Sequence, residues 1–479
     1  MFRLKIADAD FESLRRLLLA SHPMEAGAFA LAGVHDRGPS KDVLVRRVLE
    51  VPTELLTVQL EHRLEVSSRA INGVAALCQA NGLGLVVCHS HPKESPYSLS
   101  DDFGESRLFS ALEPFIPPRA PMASLLFWPE GIVGRLWLRD EKRFLPLDEV
   151  YVIGRVIRRF PGTYRGPELV FEPETYDRQI RAFGTEGQAR VAGSRVAVVG
   201  VGGTGSSAAE QVARLGVRDV VIIDHDVFSP SNVTRMYGTY GSRRRLVQCR
   251  LRPPSKVDLI ASHMRRIQPG IRVTPVNSNV VLRGAAKYLM DRDIIFLCTD
   301  DHWGRAIVNE LAYQYLIPAI NVGSGIRSEG GSISGASGSV DIIRPGTACL
   351  WCGQFLSAAR IAAEALPPSE RIARHGEGYV EDVDSPTPSV VSINATLSGL
   401  SVTLFLQLVT DFAGPRGAVS RLRYDVLNST VRRGTTSIQP GCVCQQRKGY
   451  GDLRPLSTVP SLPRTSHAPR DVRSRTPKS

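Results

Sequence analysis

The sequence predicts an α/β protein of two domains, the second a doubly wound parallel sheet. Three observations carry this expectation. The stretch SRVAVVGVGGTGSSAAEQVARL, Ser194 to Leu215, runs from an apolar strand (Val196 to Val199) through Gly200, Gly202, Gly203 and Gly205 into a helix over Ser206 to Leu215. Strand, tight turn and helix in that order form the first crossover of a Rossmann-like unit, with the helix N-terminus facing whatever sits on the turn. A second apolar run, Val220 to Ile223, ends in Asp224, placed where such units use an acid to accept hydrogen bonds from ribose hydroxyls. Ahead of it, residues 1–148 have a mixed strand and helix pattern of their own, and a chain of 479 residues is long enough for two cores or more.

Composition narrows the class. Hydrophobic residues make up 43% of the chain and charged residues 22%, the values of an ordinary soluble protein. The opening segment has acids ahead of a very short apolar run and no small-residue cleavage site. No apolar stretch is read as long enough to cross a bilayer, so a cytoplasmic chain with no membrane partner is expected. Eight cysteines in such a chain point to metal or reactivity more than to disulfides. A net charge of +12 favours acidic partners. Nucleic acid is not expected among them, because the basic residues are scattered or in a tail and do not alternate with aromatics.

In the first domain, strands are predicted over Ala28 to Leu31, Val43 to Val51, Leu83 to Cys88, Ala123 to Trp128 and Gly131 to Trp137, with helical periodicity over Glu61 to Gln79. Within it stands CHSHPKESPYSLSDDF. His89 and His91, two apart at the end of an apolar strand, point to the same side, and Asp101 follows at the expected start of a helix. Two imidazoles, a carboxylate and one open position make a catalytic zinc site. With Pro92, Ser98 and an upstream acid, Glu25 in PMEAGAFALAG, this pattern resembles the JAMM (JAB1/MPN/Mov34) metallopeptidase motif. The resemblance implies a JAB/MPN-type α/β domain in which His89, His91 and Asp101 bind zinc. Glu25 would be the general base, and Ser98 would help stabilise the tetrahedral intermediate. The loop after His91 is one residue shorter than the usual pattern. Ser98 with Asp101 is the register that keeps both functional side chains, and Asp102 is the alternative ligand.

Residues 149–174, rich in proline, glycine and arginine, read as a linker, and the second domain is placed over 175–449. Beyond Asp224 come Asp226, Asn232 and Arg235, spaced D-x-D-x5-N-x-x-R. A dinucleotide dehydrogenase has no use for that set. A triphosphate attacked at its α-phosphorus does, because charge building on the phosphoryl oxygens must be met by fixed cations and donors. From Tyr176 to Cys444 the chain resembles the ubiquitin-activating (E1) and ThiF/MoeB adenylyltransferase family. The resemblance implies that Arg178 reaches the triphosphate, in dimeric members from the neighbouring subunit. It also makes Lys256 a phosphate ligand and Asp300 the magnesium ligand, with Arg305 following at the family spacing. Asp300 stands at the end of the strand Asp293 to Leu297, where ligands collect in doubly wound sheets.

Cys349 and Cys352, in C-x-x-C spacing, and Cys442 with Cys444 describe a closed structural zinc site. No cysteine lies between Cys352 and Cys442. That leaves Cys249, in an arginine-rich loop, as the candidate thioester acceptor. The run SPTPSVVSINATLSGLSVTLFLQLV reads as a crossover followed by a buried helix, and residues 450–479 as a disordered basic tail.

Together these readings imply one chain that adenylates the C-terminal glycine of a ubiquitin-like protein with ATP and Mg2+, and that processes or removes the same protein with a zinc peptidase. The cofactors implied are ATP, Mg2+ and two Zn2+, one catalytic and one structural. A homodimer and an E2-like protein are the further partners implied. The alternative is activation of a sulfur-carrier protein for thiocarboxylate formation in cofactor biosynthesis.

Overall fold

The computed structural model describes residues 1–162, 171–240, 253–329, 331–376, 388–417 and 419–462. The N-terminal domain is a nine-stranded mixed sheet. Its strands are β1 (Phe2–Ala7), β2 (Gly27–Asp36), β3 (Lys41–Glu50), β6 (Gly84–Ser90), β7 (Met122–Trp128), β8 (Gly131–Leu138), β9 (Arg143–Pro146), β10 (Glu149–Ile153) and β11 (Ile157–Pro161), while β4 (Leu56–Leu60) and β5 (Arg63–Val66) form a separate hairpin. The order across the sheet is β11-β10-β1-β3-β2-β6-β7-β8-β9. Alternation along β2 explains the layers. Ala28, Ala30 and Ala32 face helix α1 (Asp8–Leu19) through Phe11, Leu14 and Leu18, while Phe29 and Leu31 pack with residues of α2 (Ser68–Asn81) and α3 (Leu99–Leu112) on the other side.

The second domain holds an eight-stranded sheet of β12 (Arg195–Val199), β13 (Asp219–Asp224), β14 (Arg272–Asn277), β15 (Ile294–Leu297), β16 (Ala319–Glu329), β17 (Ser332–Ile343), β18 (Arg421–Asp425) and β19 (Thr430–Gly434), ordered β14-β13-β12-β15-β16-β17-β18-β19. The pairs from β14 to β16 are parallel and the rest antiparallel. Helices α4 (Asp177–Ala192), α5 (Gly203–Arg214), α6 (Lys256–Ile267), α7 (His302–Gln314), α8 (Ala358–Glu364), α9 (Pro368–Gly376) and α10 (Val391–Thr410) complete the domain. The strand order turns at β12 and β15, so the carboxyl ends of these two strands open a crevice between them.

Four expectations are corrected. The linker placed at 149–174 begins as β10 and β11, which pair with each other and extend the first sheet. Helical periodicity from Glu61 is overridden up to Val66, where the chain forms β5, and the helix starts at Ser68. Helix α10 is long and apolar enough by composition to cross a membrane, but most of it is buried, and it packs on α4, α5 and β16 as a core helix. The disordered tail expected over 450–479 is structured over 450–462, and residues 463–479 lie outside the described residues.

The two domains are joined through buried charge and through that C-terminal segment. Arg3 of β1 donates to Asp42 of β3 at 2.9 and 2.7 Å and to Asp293, just ahead of β15, at 3.4 Å. Asp293 also accepts from the Arg195 side chain at 2.8 Å and its backbone N–H at 2.9 Å. Tyr450 is buried in the N-terminal core with Arg46 and Arg454 against its ring, and Gly33 N–H donates to the Gly449 carbonyl at 3.0 Å.

Candidate nucleotide cleft and metal sites

The crevice at the end of β12 is lined by Gly200, Gly202, Gly203, Asp224, Asp226, Arg235, Lys256, Asp300 and Arg305 among others. Gly200 has φ +82°, and a Cβ there would stand 2.7 Å from the Thr299 nitrogen, so glycine is required for the turn itself. At Gly202 a Cβ would meet nothing within 4 Å: the space it would fill belongs to the cleft. Gly205 lies under the turn, against the Gly200 carbonyl, and serves packing. The Asp224 carboxylate accepts from the N–H groups of Val201 (2.8 Å) and Asp226 (2.9 Å), fixing the turn relative to β13. Burial raises its pKa against the opposing pull of Lys256. Lys256, the first residue of α6, donates to Asp226 at 2.6 Å. Arg235 points a buried Nε with no hydrogen-bond partner, an orphan donor at the edge of the cleft.

Two family residues are not in this crevice. Asn232, 2% exposed, closes its own loop by accepting from the Ser229 N–H at 2.8 Å. Arg178 is exposed on α4 and does not line the cleft of its own chain. Cys249 and most of its basic loop lie outside the described residues. Asn394, at the start of α10, was not singled out in the sequence. Its carboxamide lies in the cleft beside Gly203, where an added Cβ would stand 2.3 Å from Nδ2, and donates to Ser389 at 2.9 Å. An asparagine inside an apolar helix was the available signal.

In the N-terminal domain, His89, His91 and Asp101 present ligand atoms all within 4.8 Å of one another. Asp101 Oδ1 is 3.5 Å from His89 Nε2, and its Oδ2 is 3.4 Å from His91 Nε2. A tetrahedral ion with arms of about 2.1 Å sets its ligand atoms roughly 3.4 Å apart, so the donor set fits zinc. His89 Nε2 is buried without a hydrogen-bond partner, as a ligand atom awaiting a cation would be. Ser98 caps α3. Its hydroxyl accepts from the Asp101 N–H at 3.1 Å, and its own N–H donates to Asp101 Oδ2 at 2.6 Å, which turns that carboxylate toward the histidines. Burial would raise the Asp101 pKa, but the bonds with His91, His89 and Ser98 hold it well below the usual carboxylate range. Asp102 faces the other way and pairs with Arg135. Glu25, 7% exposed, lies 3.7 Å from His91 Nε2, and burial pushes its pKa up.

The four cysteines converge as expected. Sulfur separations are 3.7 Å for Cys349 and Cys352, 3.5 Å for Cys349 and Cys442, and 3.8 Å for Cys352 and Cys444. Zn–S arms of about 2.3 Å give a tetrahedral edge of roughly 3.8 Å, so the set fits a closed zinc site. The Gln439 N–H also donates to Cys352 Sγ at 3.3 Å. Within this cluster hydrogen bonding, chiefly from Cys444, pushes the Cys349 thiol down, while Cys442 and Cys444 are pushed up.

The model of the ThiF family matches residues 176–444. The molybdopterin-synthase adenylyltransferase of Escherichia coli K12 is 33% identical over 157 residues, 32% of this chain and 59% of that protein. The SAMP-activating enzyme E1 of Haloferax volcanii is 30% identical over 152 residues, 31% of this chain and 53% of that protein. The chain therefore spans little more than half the length of these relatives. A crystal structure of E. coli MccB aligns with 87% of this chain and 96% of its own, at 14% identity and a TM-score of 0.44. The matched span of the family model leaves out the N-terminal domain but takes in the glycine turn, Asp224, Arg235, Lys256, Asp300 and all four clustered cysteines, and on that span the chain belongs to the ThiF family.

Proposed function

We propose that this chain adenylates the C-terminal glycine of a ubiquitin-like or sulfur-carrier protein, and that its N-terminal domain is a JAMM-type zinc peptidase acting on the same tail. The adenylation reading is carried by one observation: in a member of the ThiF family, the glycine turn, the cations Arg235, Lys256 and Arg305, and Asp300 line a single crevice. A carrier carboxylate oxygen attacks the α-phosphorus, the bond to the bridging oxygen breaks, and pyrophosphate leaves. No side-chain nucleophile is needed, because positioning and fixed charge lower the barrier. The α5 N-terminus and Gly202 receive phosphate oxygens, Arg235 and Lys256 meet the charge that develops, and Asp224 holds the ribose. Asp300 would hold magnesium, which when bound neutralises charge on the phosphates. Arg178 is assigned to the cleft of a neighbouring subunit. Chains carrying Arg178→Ala and Lys256→Ala, each inactive alone, should then regain activity when mixed. The test of the reading is ATP–pyrophosphate exchange with candidate Gly-ending carriers. Exchange that requires the carrier supports it; ATP binding without exchange for any such carrier overturns it.

The peptidase reading rests on the fit of His89, His91 and Asp101 to zinc and on the buried carboxyl beside them. Zinc, when bound, makes water a nucleophile near neutral pH. Glu25 takes the proton of the attacking water and returns it to the leaving amine, a role suited to a carboxyl whose proton affinity is raised by burial. Hydrolysis of a carrier fused at its terminal glycine, lost with Glu25→Gln, is the expected result. An unaffected Glu25→Gln chain would remove this half of the proposal. The absence of cysteine between Cys352 and Cys442 favours sulfur-carrier activation as a second reading. The intact mass of the carrier separates the two, a thiocarboxylate for one and protein adducts for the other.

A further inference from the structure

Helix α3 carries a second acid that the zinc motif does not use. Glu105 stands one helical turn after Asp101, on the same face, and is 7% exposed. Its Oε1 lies 3.4 Å from His89 Nδ1, the ring nitrogen opposite the one that faces Asp101. The same oxygen accepts from Ser124 Oγ of β7 at 2.6 Å, and Oε2 accepts from Arg135 Nε and Nη2 of β8 at 3.1 and 2.8 Å. Arg135 is itself held between the rings of Tyr97 and Phe144, 3.7 and 3.9 Å from their centroids. Both carboxylate oxygens are thus fixed from two strands, and Oε1, the one held by Ser124, is also the one against the imidazole. With Ser124 donating to Oε1 and Arg135 to Oε2, the carboxyl presents an acceptor to the ring, so it selects the His89 tautomer with the proton on Nδ1. The lone pair of Nε2 then points to the site, and that is the atom found buried and without a hydrogen-bond partner. His91 is treated the same way by a weaker partner, with Nδ1 2.6 Å from the Ser95 hydroxyl.

We propose that Glu105 is the positioning residue of the zinc site, an outer carboxylate that fixes the His89 tautomer and ring and is itself held in place by Arg135 and Ser124. The inference rests on the zinc reading of His89, His91 and Asp101. Outer partners of this kind change metal affinity by about 10- to 100-fold without touching the metal.

The experiment uses the full chain loaded with zinc, and measures zinc content together with competition against a chelator of known affinity. The wild type should hold two zinc pools, one lost with His89→Ala and the other with Cys349→Ser. Glu105→Gln should weaken the histidine pool by about 10- to 100-fold and leave the cysteine pool unchanged, which also reports that the chain is folded. Ser124→Ala keeps the Glu105–Arg135 pair and the fold, and should weaken the same pool several-fold. Cobalt(II) at the histidine site should change its visible spectrum in both variants. Wild-type affinity and spectrum in both variants overturn the role of Glu105 alone. A wild type with no zinc pool sensitive to His89→Ala overturns the zinc reading and this inference with it.

Discussion

At the scale of single residues, neighbouring acids in this chain do different work because the local backbone turns them apart. Asp301 is the N-cap of α7 and accepts from the Gly304 N–H, whereas Asp300 is exposed at the mouth of the crevice. Asp300→Asn should reduce pyrophosphate exchange by about two orders of magnitude, the scale of losing a transition-state charge contact, and leave the melting temperature unchanged. Asp301→Asn should leave both exchange and the melting temperature near wild type, since asparagine also caps, and Asp301→Ala should cost about 1 kcal/mol of stability. Equal loss of exchange in Asp300→Asn and Asp301→Asn, measured at matched folding, would contradict the division. Asp101 and Asp102 divide in the same manner, one toward the histidines and one toward Arg135. The residue types at both sites were legible from spacing. At the zinc motif the sequence favoured Asp101 but kept Asp102 as an alternative, because which acid faces the site depends on the cap made by Ser98 and on a partner, Arg135, far along the chain.

At the scale of elements, the C-terminal strap shows where sequence reading failed and why. Residues after Cys444 have no apolar periodicity, so nothing marks them as structured. Their order comes from tertiary contacts of single residues: Tyr450 in the N-terminal core, Asp452 accepting from Tyr315 at 2.9 Å and from the Asp36 N–H at 2.7 Å, and Lys448 paired with Asp10. The strands and helix around the glycine turn were readable because period and turn chemistry agree there, whereas β11 carries two arginines that pair with acids elsewhere, Arg158 with Glu12 at 2.8 Å and Arg159 with Asp293 at 3.2 Å. The strap leaves directly from the cysteine cluster, so on the zinc reading of that cluster removing the ion should free it. Chelation, or Cys444→Ser, should raise hydrogen exchange at 448–453 and at β2 while the β6 and β7 amides stay protected. Gly33→Ala tests the same contact from the other side. Its Cβ would stand 2.3 Å from the carbonyl oxygens of Gly449 and Tyr450, so the strap must shift and β2 must lose stability.

At the scale of the whole molecule, the joint between the domains is electrostatic as well as apolar, and this sets its response to pH. Asp293, 3% exposed, is surrounded by Arg195, Arg159 and Arg3; burial would raise its pKa, but these cations carry it well below the ordinary value. Asp42 behaves likewise: burial opposes, while Lys5, Arg3 and Arg37 hold its carboxyl far down. A carboxyl depressed in the folded state contributes stability that is fully present above its unfolded pKa, near 4, and is lost as pH falls toward the folded value. Lys5 acts with the opposite sense. Burial, opposed by Asp42, pushes it down to about 8, so its charge is a cost below that pH, and stability should recover as pH rises from about 8 toward 10.5. The acid limb is the stronger test. Two such carboxyls give a limiting slope of about 2.7 kcal/mol per pH unit below pH 4, and removing one should halve that contribution. Asp293→Asn should therefore flatten the acid limb of urea-derived stability measured between pH 5 and 3. At pH 7 it should cost about 3–5 kcal/mol, because Arg195 and Arg159 lose a buried partner. The two arginines belong to different domains, so the loss should appear first as separate melting of the two sheets, and an unchanged acid slope in Asp293→Asn would show that the joint is held by apolar packing alone.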